Sequence, residues 1–384
     1  MHLSLKINNL PANPIIAIPG IMKKISYIPM VTLLAIITSC NTKPAETSSD
    51  GTLPASNPFA AASTLPYQAP AFDKIKNADF KPAMEAGMAQ QLTEIKKIAD
   101  NTEAPTFENT LVEMEKSGQL LTRVNLVLNL LTGANTNPDL QKLQEEVAPK
   151  LAATEDAVFL DTKLFKRVEA VYKDRDKLKL DTESERLLEF YYQKFELAGA
   201  NLSHADKDKM KKFNGDEASL SAKFTNKLLG AAKAGALVIS DKAELAGLPQ
   251  GTLDAAAQSA KAAKMDGKWL LPLQNTTQQP ALQSLTNRAT RQKLFEASWT
   301  RAEKKDTNDT RDIISHIAQI RAQKAKLMGF KNYAEWKLQD QMAKTPEAVD
   351  KFLAQVVPAA TARAKAEAAD IQAVIDQQDR KSVV

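Results

Sequence analysis

The strongest constraint on the fold is a helical pattern that recurs along the chain from Asp79 onward. A side chain able to cap a helix is followed each time by roughly 15 to 30 residues whose apolar positions lie three or four apart. Glycine is rare, at 13 residues in 384, while Ala, Leu, Lys, Gln and Glu recur, and these residues lose least on entering a helix. The sequence therefore predicts an all-α body, an elongated antiparallel helical lobe over residues 71–378. The capping residues are Thr106, Asn137 before Pro138, Asp181, Ser203, Asn308, and Thr345 before Pro346.

One segment, at about residues 236–275, interrupts the helical pattern. Short apolar runs at 236–240 and 268–273 are flanked by Gly and Pro, which is typical of strands. The Ala-rich stretch 253–263 between them predicts a helix. Pro272 has no N–H to donate, so we expect the second strand to lie at a sheet edge. The prediction is a small strand-helix-strand insert.

Composition and charge exclude several classes of protein. Hydrophobic residues make up 43% of the chain and charged residues 25%, an ordinary globular balance that excludes a wholly disordered chain or a polytopic membrane protein. Three of the five net positive charges lie in residues 1–39, and no basic stripe with interleaved aromatics follows. We therefore expect no nucleic-acid partner. The single cysteine, Cys40, excludes an internal disulfide and a cysteine-cluster metal site.

The segment from Met22 has the order of a secretion signal. Lys23 and Lys24 precede an apolar run at 28–37, and small residues lead to Cys40. This ending resembles the lipobox of bacterial lipoproteins, in which the thiol is acylated and becomes the new N-terminus. We expect a signal peptide at 22–39, a lipid on Cys40 and an exported, membrane-anchored lipoprotein on the periplasmic or outer-membrane side. The alternative is a buried free thiol that follows an apolar helix.

The segments on either side of the predicted signal peptide lead to two further predictions. Residues 1–21 fit no part of the signal, so we expect them to be an extension upstream of the true start at Met22. Residues 40–70 are dominated by Pro, Ser, Thr, Ala and Gly, a composition that buries little apolar surface. We expect this segment to be a flexible tether between the lipid and the helical body.

The residues alone assign no catalytic or metal-ligating side chain. The histidines are His2, His204 and His316, and none belongs to H-E-x-x-H, the spacing that places two imidazoles on one metal. We expect His204 to be solvated beside its cap, and His316 to be a partly buried, hydrogen-bonded histidine on an apolar helix face. The sequence also lacks G-x-S-x-G, a P-loop and a Rossmann glycine pattern.

Two other groups of residues have both a structural and a functional interpretation. The carboxylates Glu145, Glu146, Glu183 and Glu185 are expected on solvated helix surfaces. The aromatic residues at 190–192 and 195 fit a helix core, because positions 188, 191, 192 and 195 share one face. The alternative is that these aromatics line a ligand channel.

Longer stretches resemble a known enzyme family. The first two, RLLEFYY at 186–192 and AGANLS at 198–203, resemble the N-terminal half of the zinc-dependent oligopeptidases, the family that contains thimet oligopeptidase and the bacterial peptidyl-dipeptidases. Downstream stretches look like the peptidyl-dipeptidase branch, and the resemblance covers about residues 57–378. The downstream stretches are NR at 287–288 with FEAS at 295–298, NDTR at 308–311, KLMGFKNY at 326–333 and MAKTPEAV at 342–349.

The resemblance implies a two-lobed, nearly all-helical protein with a deep channel, of which this chain is the neurolysin-like N-terminal half. It also implies that H-E-x-x-H and a later glutamate bind zinc in the full-length protein, and that a C-terminal dipeptide leaves an oligopeptide substrate. No position here matches those motifs, so no catalytic or metal residue is carried over, and we expect this chain to bind no zinc and to be inactive alone.

The last residues carry an expectation of their own. A helix with apolar residues in a row from Val349 to Ile371, with Pro358 inside it, is still running at 377–378 when it meets the hexapeptide 379–384. A common sequencing adapter would encode that hexapeptide, so we expect a non-native tail on a reading frame cut short by an assembly artefact. The missing C-terminal catalytic lobe would then be the natural partner of the row. The alternative is a natural, non-catalytic helical lipoprotein that binds peptides or a partner.

Overall fold

A computed structural model describes residues 53–382 of the chain, with side chains to residue 378. The predicted extension at 1–21, the signal peptide at 22–39 and Cys40 lie outside the described residues. Within 53–382 the chain is mainly helical and has only two short strands, which confirms the all-α prediction. The α-helices are α1 Asn77–Ala99, α2 Glu113–Lys116, α3 Gln119–Ala134, α4 Pro138–Phe159, α5 Thr162–Lys173, α6 Arg175–Leu178, α7 Thr182–Ala198, α8 His204–Ala234, α9 Gln250–Ala262, α10 Asn275–Ser284, α11 Arg288–Trp299, α12 Arg311–Leu327, α13 Tyr333–Lys337 and α14 Pro346–Ser382.

The predicted insert is present as a two-stranded antiparallel sheet. Strand β1, Leu237–Ile239, pairs with β2, Trp269–Leu271, and Val238 lies opposite Leu270. A short 3-10 helix at Lys242–Leu245 and helix α9 connect the strands. Because the sheet has only two strands, β2 is an edge strand, as Pro272 requires.

Most of the predicted caps begin helices. The side-chain oxygens of Asn137, Asp181 and Ser203 accept hydrogen bonds from backbone N–H groups three residues later, at 3.1, 2.9 and 3.2 Å. The Thr345 hydroxyl accepts a hydrogen bond from the N–H of Ala348 at 3.2 Å, at the start of α14. These bonds satisfy N–H groups that have no partner within the first turn.

Two of the predicted starts differ from the structure. Thr106 does cap the chain, but the turn that follows, Phe107–Val112, is a π-helix. The expected start at Asn308 is wrong: α12 begins at Arg311, because the carboxylate of Asp309 accepts the N–H of Arg311 at 3.1 Å. Asn308 lies in the preceding loop, where its own N–H donates to Asp306 at 2.8 Å.

The buried apolar residues form four clusters. The first joins α1, α3 and α4, the second joins α5 and α7 to the π-helix, and the third lies under the insert. The fourth contains Met210 of α8, Ala325 of α12 and Trp336 of α13. This last cluster brings distant parts of the chain together and forms the floor of the site described below.

The predicted tether ends earlier than residue 70. Phe59 is buried in the first cluster, with its ring centroid 5.2 Å from that of Phe80. Asn57 is also buried, and its amide donates to the backbone oxygen of Asp79 at 3.0 Å. One buried aromatic ring and one satisfied amide attach residues 57 and 59 to the helices, which a composition average does not detect.

Helices α1 and α3 approach closely at Gly87. A Cβ built on Gly87 would lie 2.8 Å from the Cα of Leu121 and 2.9 Å from its nitrogen, which are backbone atoms that cannot turn aside. Gly87→Ala should therefore destabilise the chain by about 1–3 kcal/mol through overpacking, measured by urea unfolding. The matched control is Gly133→Ala in α3, where a Cβ meets nothing within 4 Å and the change should stabilise the chain by about 0.5–1 kcal/mol. Equal effects at both positions would contradict this account.

Helix α14 presents apolar side chains to solvent along its described length. Phe352 is 62% exposed, and Leu353, Val356, Val357, Ile371, Val374 and Ile375 are exposed as well. We call these seven side chains the α14 row. The backbone helix continues through the predicted non-native tail as far as Ser382. None of the helices in residues 53–382 combines the length and apolar character needed to cross a membrane.

Candidate functional site

A cleft of about 650 Å³ opens between α4, α7 and α8, with α12 and α13 beside them. Its walls carry both charged and aromatic side chains. The volume lies within the range of about 300–1,000 Å³ that is common for small-molecule sites. The residues that give it its chemistry are Asp156, Phe190, Lys194, Glu217, Trp336 and Lys337.

Glu217 is held by two cations from another helix. Its carboxylate accepts hydrogen bonds from Arg321 Nε at 2.7 Å and Lys324 Nζ at 2.8 Å, joining α8 to α12. The side chains of Glu217 and Lys324 are 15% and 10% exposed. Burial by itself raises the pKa of Glu217, but the hydrogen bonds from Lys324 and Arg321 outweigh it and leave the pKa below its usual value. Glu217 is therefore a charged carboxylate in which each oxygen accepts a hydrogen bond from a cation.

Asp156 is different, because one of its oxygens has no partner. The residue is 6% exposed, and Oδ1 accepts a hydrogen bond from the Asn214 amide at 2.5 Å. Oδ2 is buried and has no hydrogen-bond partner among the described residues. Burial raises the pKa of this carboxyl. Asp156 also lines a second cavity of about 550 Å³, so it lies in the wall that separates the two.

Three lysines of the cleft lie over aromatic rings, and the most distant is Lys324, with Nζ 5.6 Å from the centroid of the Trp336 ring. Lys194 Nζ is 4.1 Å from the centroid of the Phe159 ring and 3.5 Å from a Glu155 oxygen. Lys337 Nζ is 4.3 Å from the centroid of the Trp336 ring. The surrounding protein desolvates the Lys337 ammonium group and lowers its pKa, although the side chain as a whole is exposed. A cation over a ring in this geometry is attracted to the face of the ring.

The aromatic residues of α7 divide between the two interpretations. Phe195 is fully buried, Tyr191 donates to a Glu115 oxygen at 2.6 Å, and Tyr192 stacks on Tyr172 at 3.8 Å. These three are structural, as predicted from the helical period. Phe190 is 47% exposed and lines the cleft, so this one ring lies outside the helix core.

The predicted positions of the histidines are half right. His204 is the first residue of α8, and its side chain is 91% exposed, with Nε2 3.9 Å from Asp208. His316 was expected to be partly buried, but it is exposed on α12. The buried residues of α12 are Ile313, Lys324 and Ala325, and His316 is not among them.

The expectation of solvated carboxylates is also right for only one pair. Glu183 and Glu185 are exposed in the first turn of α7. Glu145 and Glu146 are half-buried instead: Glu145 accepts a hydrogen bond from the Asn226 amide at 2.9 Å, and Glu146 pairs with Lys81 at 2.6 Å. Helices α8 and α1 pack on either side of α4, so this turn faces neighbours rather than water.

The described residues do not assemble a metal centre. Within 53–382 no group of three His, Cys, Asp or Glu side chains lies close enough to hold a metal ion. A zinc site needs about three such ligands around one ion. The zinc implied by the sequence resemblance therefore does not fit the side chains of this part of the chain.

The main residues of the cleft were not found from the sequence. Glu217 and Lys324 are 107 positions apart, and Asp156 and Asn214 are 58 positions apart. No local spacing marks pairs so far apart. The only available signal was Lys324 itself, a charged residue directly before the buried Ala325 on an otherwise amphipathic helix.

Comparisons with known proteins agree with the sequence resemblance. Residues 281–383 match the model of peptidase family M3. The chain is 52% identical over 322 residues to the dipeptidyl carboxypeptidase of Escherichia coli, an alignment that covers 84% of this chain and 47% of that protein. It is 47% identical over 320 residues to the dipeptidyl carboxypeptidase of Salmonella typhimurium, covering 83% and 47%.

A more distant relative is oligopeptidase A of Escherichia coli, 25% identical over 312 residues, with 80% of this chain and 46% of that protein covered. The chain thus spans about half the length of the curated relatives it matches. The chain therefore matches peptidase family M3 over residues 281–383, and it is similar to dipeptidyl carboxypeptidases over most of its length.

Proposed function

We propose that this chain is the helical N-terminal portion of an extracytoplasmic zinc metallopeptidase that removes C-terminal dipeptides from oligopeptides. The observation that carries the proposal is the 52% identity to a dipeptidyl carboxypeptidase over most of the chain. The zinc would be bound by the other half of such a protein, since the described residues offer no cluster of ligands for it. The chain by itself would then be inactive.

The α14 row supports a missing lobe as partner. Seven large apolar side chains between Phe352 and Ile375 are 40% to 62% exposed on one helix. Apolar patches of this extent on a folded protein commonly mark contact surfaces. In this proposal the row packs against the catalytic lobe that makes up the remaining length of the relatives.

Supplying that lobe in trans tests the proposal. The half of the Escherichia coli dipeptidyl carboxypeptidase that this chain does not match would be co-expressed with the chain, and release of a C-terminal dipeptide from a blocked tetrapeptide would be measured. We expect chelator-sensitive cleavage by the pair, none by either half, and loss of cleavage with Phe352→Glu combined with Val356→Glu. Chelator-sensitive cleavage by this chain alone would show that the catalytic centre has been misplaced. A soluble monomer that does not pair with the lobe would favour the alternative, a non-catalytic peptide-binding lipoprotein.

The proposed location depends on one atom, the sulfur of Cys40, which is the only cysteine in the chain. Acylation of that sulfur would anchor the protein to a membrane. We expect wild type expressed in a bacterium that processes lipoproteins to fractionate with membranes, and Cys40→Ser to fractionate with the soluble material. If Cys40→Ser remains in the membrane fraction with its leader removed, the lipid anchor is excluded. Ser48→Ala, beyond the cleavage site, serves as a control that keeps the thiol and the residues before it.

A further inference from the structure

Groups of both charges remain in the cleft once its ion pairs are set aside: the carboxylates of Asp156 and Asp340, and the ammonium group of Lys337. Glu155 is matched by Lys194, and Glu217 by Lys324. Asp156 keeps one buried oxygen without a hydrogen-bond partner among the described residues. Lys337 has no carboxylate within 4 Å of its Nζ in the same part of the chain. An acceptor and a donor are therefore both available on the walls of one cavity.

The position of Asp156 is unfavourable unless something binds there. A buried polar atom without a partner costs about 1–3 kcal/mol, and more when it is charged. Packing alone would favour an apolar residue, which would fill the same volume without that cost. A donor that enters from the cleft, such as an ammonium group, would form a charge-assisted hydrogen bond with Oδ2.

The remaining walls suit the rest of a small molecule. Lys337, whose Nζ lies over the Trp336 ring, can receive a carboxylate, and its ammonium group is already partly desolvated. Phe190, Leu197 and Trp336 provide apolar surface between the charged groups. A few placed polar groups in a partly apolar cavity are typical of ligand sites.

We infer that this cleft binds a small zwitterion, a free amino acid or a dipeptide, with its ammonium group on Asp156 and its carboxylate on Lys337. The inference does not depend on the proposed function, since it concerns binding by this chain without cleavage.

Calorimetric titration of the 384-residue chain tests the inference, with leucine, leucyl-leucine, N-acetyl-leucyl-leucine and leucyl-leucine amide as probes. We expect the amino acid or the free dipeptide to bind, and each blocked dipeptide to bind at least about tenfold more weakly, as the loss of one charged hydrogen bond predicts. The stronger of the two free ligands identifies the natural size. Absence of heat from both at millimolar concentration would overturn the inference.

Variants assign the two ends of the ligand. Asp156→Asn keeps the shape of the side chain. It should weaken binding of the free dipeptide about tenfold and leave the affinity for the N-acetylated dipeptide unchanged. Lys337→Met should weaken binding of the free dipeptide and leave the affinity for leucyl-leucine amide unchanged. Asp216→Asn, at an exposed acid on α8 outside the cleft, is the matched control and should leave every affinity unchanged. If the folded Asp156→Asn variant, checked by circular dichroism, binds the free dipeptide as wild type does, the assignment is wrong.

Discussion

Replacing Glu217 by alanine is expected to destabilise the chain by about 3 kcal/mol, because removing one partner of a buried ion pair leaves an uncompensated charge. The group left behind is Lys324, which is 10% exposed and loses a hydrogen bond of 2.8 Å. Arg321, which is 42% exposed, can turn to water and should contribute less. Urea unfolding followed by circular dichroism measures the loss.

The controls separate burial from charge. Asp216→Asn breaks an exposed ion pair with Lys212 on the same helix and should cost less than about 1 kcal/mol. Combining Glu217→Met with Lys324→Met removes both buried charges and should recover most of the stability lost in Glu217→Ala. If Glu217→Ala costs no more than Asp216→Asn, the pair does not join α8 to α12 as described.

The pH dependence of this effect follows from the lowered pKa of Glu217. A carboxyl whose pKa is lower in the folded state than in the unfolded state contributes stability that is present above the unfolded value. That contribution is lost as the pH falls through the folded value. The difference between wild type and Glu217→Gln should therefore be largest at neutral pH and narrow in acid. A difference that widened in acid would contradict the direction of the shift.

Phe195→Ala is expected to destabilise the chain by about 3–5 kcal/mol, since it opens a cavity in the second core cluster. The ring is fully buried and packs against Phe159 at 5.0 Å and Phe165 at 5.7 Å between centroids. Phe190→Ala, on the same helix but 47% exposed, is the matched control and should cost less than about 1.5 kcal/mol. Thermal and urea unfolding of both variants measure the difference. Similar losses at the two positions would mean that α7 is not buried on the face described.

The difference between Phe190 and Phe195 illustrates how far the sequence could be used. Helical period placed Leu188 and Phe195 on one buried face of α7, and both are fully buried. It also left Phe190 on the other side of the helix, where water or a neighbouring element could cover the ring equally well. Only the approach of α4 and α8 made that side into the wall of a cleft.

The sequence by itself determined the helices, because caps, periods and breakers act over a few residues. Asn137, Asp181 and Ser203 begin helices for local reasons, and the strands of the insert follow from short apolar runs between Gly and Pro. The resemblance to the zinc-dependent oligopeptidases, too, was visible in local stretches of sequence.

Tertiary structure alone decided the charged cleft, the burial of Phe59 and the exposure of His316. Each depends on which helix lies beside which, and partners such as Asp156 with Asn214 or Glu217 with Lys324 are 58 and 107 positions apart. The energy of such a contact depends on burial and on the partner's position. A short stretch of sequence gives no information on either of these. The residue type does not show whether a charged side chain is solvated, is paired, or has an oxygen without a hydrogen-bond partner. The properties of Asp156 therefore follow only from the packing of α4 against α8.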